Sequence, residues 1–75
     1  MVTSYVLIST VKDSEDVITS LKEDDRVKEV YNVYGVYDII AKIRAKTVDE
    51  AKILVPRQIR RLKNVQSVLP MIILE

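Results

Sequence analysis

The 75-residue sequence contains no cysteine, no histidine, no tryptophan and no phenylalanine. Without cysteine there is neither a disulfide nor a thiolate site. Without cysteine and histidine together, the common zinc ligand sets are excluded. The same absences remove Ser-His-Asp, Cys-His and histidine-based acid–base chemistry. One glycine and two prolines argue against a loop-rich or disordered scaffold. Neither charge sign is in excess. Twelve Lys+Arg against eleven Asp+Glu leave +1, which makes no electrostatic case for nucleic acid or an anionic membrane. Long hydrophobic runs are missing too. Tyr5-Val6-Leu7-Ile8 is too short for a signal-peptide core and no basic segment precedes it. Met71-Ile72-Ile73-Leu74 falls far short of the ~20 residues that cross a bilayer. The expectation is a cytoplasmic protein with no membrane partner and no cofactor.

What is present is aliphatic: hydrophobic residues make up 48% of the chain. A domain this small buries only about 60% of the surface its unfolded chain exposes. Cores below about 70–80 residues rarely supply more than a few kcal/mol. With disulfides and metals unavailable, self-association is the remaining source of stability. Residues 1–75 read as one domain.

Residues 3–10 are β-branched and aromatic-rich, hence a strand. Val6 and Ile8 fall on one of its faces and Tyr5 and Leu7 on the other, the mark of a strand covered on both sides. Asp13 or Ser14 can cap a helix that carries Val17, Ile18 and Leu21 inward and ends near Lys22, with Glu15 and Asp16 in its first turn. Residues 27–34 alternate, with Val27, Glu29, Tyr31 and Val33 on one face. Residues 36–45 alternate more cleanly. Tyr37, Ile39, Ala41, Ile43 and Ala45 oppose Val36, Asp38, Ile40, Lys42 and Arg44. Two such runs meeting at Gly35 predict a β-hairpin in which the glycine takes a positive φ at low cost. Thr47-Val48-Asp49-Glu50 is a capping box ahead of a helical stripe, Ala51, Leu54, Val55, Ile59 and Leu62. Pro56 inside that stripe predicts a kink or break near Leu54-Val55, with the proline opening a second helical turn. Residues 65–74 form the last strand, which tolerates Pro70 only where its nitrogen faces away from a partner strand.

The element order β-α-β-β-α-β with right-handed crossovers predicts an α+β, ferredoxin-like domain. Four antiparallel strands carry two helices on one face, with the first and third strands central. The uncovered face should then read polar at every second position. It does not: the first and last strands are apolar on both faces, and Val36 and Ile40 interrupt Asp38, Lys42 and Arg44. A contiguous apolar patch of this kind marks an interaction surface. Sheet-to-sheet self-association is its simplest cover.

The run from Val30 to Ile40, and within it Gly35-Val36-Tyr37-Asp38, resembles the hairpin of the effector-binding (RAM) domain of the Lrp/AsnC, or feast/famine, transcriptional regulators. Arg61-Leu62-Lys63-Asn64-Val65 and Met71-Ile72-Ile73-Leu74 resemble that domain's last helical turn and final strand. The chain starts directly at its first strand, so the resemblance is to the stand-alone form, without a helix-turn-helix. It implies dimers built face to face from sheets, assembly of dimers into rings, and a small-molecule effector, usually an amino acid, held between dimers near the hairpin. Carried onto this chain, the effector site comprises Tyr34, Gly35, Val36, Tyr37 and Asp38, with Asp38 pairing an ammonium group. Relatives often carry Thr-x-Thr early in the last strand. Val68 and Pro70 stand there instead, which leaves Gln66 and Ser67 as the nearest polar substitutes.

Two regulatory readings follow. One is a ligand-responsive module that self-assembles and acts in transcription regulation without its own DNA-binding domain. The other is a structural partner that co-assembles with a helix-turn-helix-bearing relative and has no ligand. An enzyme would have to rest on Asp38, Glu29 or a tyrosine, with no phosphate-binding loop. The ACT domain shares the topology but normally works inside a larger enzyme. Lys52, Arg57, Arg60, Arg61 and Lys63 are the one basic cluster, but cations near a helix C-terminus complement its dipole. Direct nucleic-acid binding is not expected. Basic residues in the second helix and acidic ones around the first suggest charge complementarity, within or between subunits.

Overall fold

The computed structural model describes residues 1–74. In chain order these form β1 (Val2–Thr10), α1 (Glu15–Lys22), β2 (Val27–Asn32), β3 (Ile39–Ala45), α2 (Val55–Arg60) and β4 (Val65–Ile72). The strands make one antiparallel sheet in the order β2-β3-β1-β4, so β1 and β3 are central and β2 and β4 are the edges. Both helices cover the same face, which is the ferredoxin-like α+β arrangement that the element order predicts. Val6 and Ile8 of β1, Ile39, Ala41 and Ile43 of β3, and Val68 of β4 pack there against Val17 and Leu21 of α1 and Val55 and Ile59 of α2. No helix among the described residues is long and apolar enough to cross a membrane.

The helix starts use the expected residues in slightly different ways. Ser14 is the first flanking residue of α1 but caps nothing with its side chain; Asp13 Oδ1 accepts the Glu15 N–H instead, at 2.9 Å. At the second helix, the Glu50 N–H donates to Thr47 Oγ1 at 3.1 Å. Glu50 Oε1 reaches one residue further back than the standard box and accepts the Lys46 N–H at 2.9 Å.

Pro56 produces the break the sequence predicts, in a specific form. A proline in an α-helix clashes with the carbonyl four residues back, here that of Lys52. The chain avoids this by widening into a π-helical turn, Glu50–Leu54, whose last bond runs from the Val55 N–H to the Glu50 carbonyl five residues back. α2 then starts at Val55, with Pro56 in its first turn where no N–H is needed. The wider turn changes the helical phase. Val55 and Pro56 are buried, and Leu54, expected in the apolar stripe, is turned outward.

Two strands also depart from strict alternation. In β2, Val27 stands opposite Ile43 and Glu29 opposite Lys42, which leaves Lys28 as the extra residue of a bulge. In β4, Ser67 stands opposite Ser9 and Val65 opposite Thr10, which leaves Gln66 as the extra residue. Each bulge flips the inward parity by one residue. Val27 and Val30 therefore both pack on the core, as do Val65 and Val68. The expectation that Val27, Glu29 and Tyr31 share one face fails for this reason. Pro70 stands opposite Val6 on the edge strand β4, the kind of position where a missing N–H breaks no ladder bond.

The hairpin is longer than predicted. β2 ends at Asn32 and β3 begins at Ile39, so Val33 to Asp38 form a six-residue connection. Gly35 does not adopt a positive φ. Among the described residues only Asn64, in the turn after α2, does so (φ 73°), a role asparagine tolerates well.

Ser4 lies wholly buried on the helix side of β1, between Ile43 and Ile72, and its Oγ has no partner. An unpaired buried hydroxyl costs about 1–3 kcal/mol. Ser4→Ala removes that cost with almost no change in volume. It should raise the urea midpoint at unchanged m-value, a gain of about 1 kcal/mol. A lower midpoint would show that the hydroxyl has a role.

Candidate functional site

The sequence-predicted site residues collect at one end of the sheet, where β1 runs out, β3 begins and β4 begins. The hydrogen bonds explain why. β1 ends in Ser9-Thr10, two hydroxyls after an apolar run. The Thr10 N–H donates to Asp38 Oδ1 at 3.0 Å, and Thr10 Oγ1 donates to Asp38 Oδ2 at 2.5 Å. The Asp38 N–H donates to the Ile8 carbonyl at 3.0 Å, and the Asp38 carbonyl accepts the Val33 N–H at 2.8 Å. Asp38 thus ties the hairpin loop to the end of the central strand and closes the loop on itself. One strand over, the Ser9 and Ser67 hydroxyls share a hydrogen bond at 2.5 Å. Gln66 is the exposed bulge residue beside them.

The hairpin tip projects from this anchored base. Tyr34 and Val36 are 106% and 89% exposed, Gly35 between them is exposed, and Tyr37 is half-buried. A methyl group added to Gly35 would meet only the Tyr37 carbonyl oxygen at 3.8 Å, an ordinary contact. Neither backbone conformation nor space demands glycine here. Thr10 and Ser9 are the residues that sequence reasoning missed. Their signal was a polar pair closing an apolar strand, but nothing local says that a loop 28 residues away is the acceptor.

Val68 faces the core and Pro70, two residues on, points to the same side, toward the helices. Hydroxyls at these positions would face the helix layer. The larger concave spaces lie elsewhere. An open groove of about 550 Å³ sits at the opposite end of the sheet, among Arg26, Lys28, Arg44, Lys46, Asp25 and Glu50.

The face without helices carries a row of apolar side chains across all four strands. Tyr31 pairs with Ile40, Ile40 with Leu7, and Leu7 with Leu69. The next row runs Glu29, Lys42, Tyr5 and Met71. Tyr31, Leu69 and Met71 are each about half exposed (51%, 43% and 46%). Glu29 and Lys42 on this face lie on its β2 side. The Tyr31 hydroxyl donates to Glu29 Oε1 at 2.5 Å, and Lys42 Nζ lies 3.6 Å from Glu29 Oε2. The hydrogen bond from Tyr31, helped by the Lys42 charge, lowers the Glu29 carboxyl below its ordinary range. The same bond raises the Tyr31 phenol above its own.

Comparison with known proteins now adds to this geometry. The sequence profile of the Lrp/AsnC ligand-binding domain matches residues 2–75. No curated protein sequence matches the chain. Among solved structures, FFRP-DM1 is 33% identical, with a TM-score of 0.89 over 99% of this chain and 100% of its own. The hypothetical protein PHS023 from Pyrococcus horikoshii is 36% identical, with a TM-score of 0.84 over 100% of this chain and 93% of its own. The feast or famine regulatory protein Rv3291c from M. tuberculosis, solved in complex with L-methionine, shares the fold at 22% identity and a TM-score of 0.82; this chain covers 51% of it. Fold, sheet and hairpin thus define a regulator's ligand-binding domain. The chain belongs to the Lrp/AsnC ligand-binding domain family.

Two outcomes follow. Asp38→Ala strips Thr10 of both acceptors and should destabilise the domain by about 1–3 kcal/mol in urea unfolding. Gly35→Ala should shift stability by less than about 1 kcal/mol, toward stabilisation, since it only restricts the unfolded chain. A large loss with Gly35→Ala would mean that the loop needs glycine's freedom. A third expectation concerns pH. A phenol whose pKa is raised by folding stabilises the fold below the ordinary tyrosine range, and that stabilisation is lost as pH rises through the folded value. The tyrosinate absorbance that disappears in Tyr31→Phe should develop at higher pH in the folded protein than in urea. Identical midpoints would remove the Glu29–Tyr31 bond.

Proposed function

We propose that this domain is a small-molecule-responsive, self-assembling regulatory module of transcription, with an amino acid as the effector class. The observation that carries the assembly is the uncovered row Tyr31–Ile40–Leu7–Leu69. Stable pairs of proteins bury about 800 Å² per partner. In a molecule of 32 × 21 × 18 Å, only a broad face can supply that area. Two copies packed sheet to sheet would cover the row and bring two hairpin ends close to a shared boundary. There Tyr34, Gly35, Val36 and Tyr37, with Gln66 and Ser67, would line the effector site. Asp38 sets the loop through Thr10 and keeps unused lone pairs on its two oxygens for an ammonium group. The amino-acid class is supported by the M. tuberculosis relative, whose structure contains L-methionine.

The second reading, an assembly partner of a helix-turn-helix-bearing relative with no ligand of its own, is favoured by one feature. Both Asp38 oxygens already hold a Thr10 donor.

Sedimentation at micromolar concentration should give a species at least twice 8.6 kDa. Ile40→Lys, which sets a charge in the centre of the apolar row, should weaken that association while leaving a folded monomer. A concentration-independent 8.6 kDa wild type would overturn the assembly. A screen of the twenty amino acids separates the two readings, because a ligand present at 100 times its Kd adds about 2.7 kcal/mol of stability. A dimer that no amino acid stabilises would leave only the second.

A further inference from the structure

The open groove at the end of the sheet away from the hairpin forms where β2 begins and β3 ends. The Arg44 N–H donates to the Arg26 carbonyl at 2.8 Å there. Four cationic side chains, Arg26, Lys28, Arg44 and Lys46, border the space of about 550 Å³, with Met1 on the β1 side. The volume lies within the range that small ligands favour, about 300–1,000 Å³. Its charges are not balanced. Arg26 is spent: its guanidinium donates to the two Asp24 oxygens at 3.1 and 2.8 Å, and to Gln58 Oε1. Glu50 is spent as well: Oε1 accepts the Lys46 N–H at 2.9 Å, and Oε2 lies 3.9 Å from Arg26. Lys28 Nζ donates to the Asp25 carbonyl at 2.8 Å, which fixes the ammonium without neutralising it. Among the described residues Lys28, Arg44 and Lys46 enter no ion pair. Their three positive charges border the groove against one unpaired carboxylate, that of Asp25.

We propose that this groove binds a small oxyanion carrying two or more negative charges, a phosphate monoester or a dicarboxylate. The Arg44 guanidinium offers a planar fork of donors that matches a carboxylate or phosphate edge, and Lys28 and Lys46 add point charges. A cleft with an excess of one sign draws the opposite ion in. Arg26, held by Asp24 and Gln58, is a fixed wall of the site and not its principal donor. A polyanion such as DNA fits less well, since Asp25 and Glu50 border the same groove and the chain carries only +1. The site does not rest on the effector reading. Arg44 stands opposite Thr3 at the start of β1, whereas the hairpin leaves the sheet at the other end, where Ile39 stands opposite Ile8.

The test is an amide chemical-shift titration of the isotope-labelled chain with inorganic phosphate, succinate and acetate. Ionic strength is held at about 0.1 M, where the screening length is ~10 Å. A pH of about 8 keeps phosphate a dianion. Phosphate or succinate should move the amides of Arg26, Lys28, Arg44 and Lys46 saturably and leave those of Tyr34 to Asp38 in place. Acetate, with one charge, should bind about tenfold more weakly, the equivalent of one charge-assisted hydrogen bond. Tighter binding of phosphate assigns the site to phosphate monoesters, and tighter binding of succinate to dicarboxylates. Arg44→Gln with Lys46→Gln should weaken the better probe by about tenfold or more. Arg57→Gln with Arg61→Gln, which removes the same charge from α2 and the turn after it, should leave the affinity unchanged. Should the first pair fail to fold, Lys28→Gln alone should still weaken binding. Shifts that never saturate, equal weakening by the Arg57/Arg61 pair, or shifts centred on the hairpin would overturn the proposal. So would duplex DNA that displaces phosphate and is itself lost with Arg44→Gln/Lys46→Gln, which would give the groove to nucleic acid instead.

Discussion

β1 is bonded along both edges, to β3 and to β4, while both helices pack onto one of its faces. Its two sets of side chains therefore have different fates. Val6 and Ile8 are fully buried by the chain's own helices. Tyr5 and Leu7 lie in the middle of a face that no other element of this chain covers. None of the described elements of the chain is placed there. The stability of the core and the apolar character of the open face both follow from spending the helices on one side of an aliphatic central strand. The same strand sets the hairpin, because its terminal Thr10 holds the Asp38 carboxylate from both oxygens.

Three local irregularities keep the helix side filled. The π-helical turn before Pro56 accommodates a residue that cannot donate and swings Val55 and Pro56 inward. The bulges at Lys28 and Gln66 let Val27 with Val30, and Val65 with Val68, face the same way despite a spacing of three. Each inserts or re-phases one position, and each follows from the core requiring an apolar group where regular geometry would put another residue. The bulges occupy matching places in the two halves, just after each helix enters its edge strand. The halves thus share a local rule although their sequences differ.

The surfaces divide by chemistry as well as by position. The open sheet face is apolar with its charges toward one edge, the chemistry of a contact between like faces. The helix layer is polar, with exposed charges of both signs. The hairpin tip, Tyr34 to Val36, belongs to neither; it extends from the end of the sheet on a base tied down by Asp38. Gly35 there is required neither by φ nor by crowding.

The sequence by itself determined the fold class, the strand order, the helix starts and the uncovered apolar face. All of these rest on short-range periodicity, on Thr47-to-Glu50 capping, and on there being two helices for two sheet faces. The family was legible in Gly35-Val36-Tyr37-Asp38 together with the element spacing. The hairpin's length, the bulges and the inward phase of the second helix were not legible as such. Val27-Lys28-Glu29-Val30 reads equally as failed alternation or as a bulge, and only packing against α1 and β3 chooses. The candidate site shows the same division. The hairpin residues could be named from their pattern, but the pairing of Asp38 with Thr10 and of Ser9 with Ser67 joins positions 28 and 58 residues apart. Sequence pattern reports which way a side chain points relative to its neighbours in the chain. Which distant group it then meets is set by strand order and register, and these exist only once the sheet has formed.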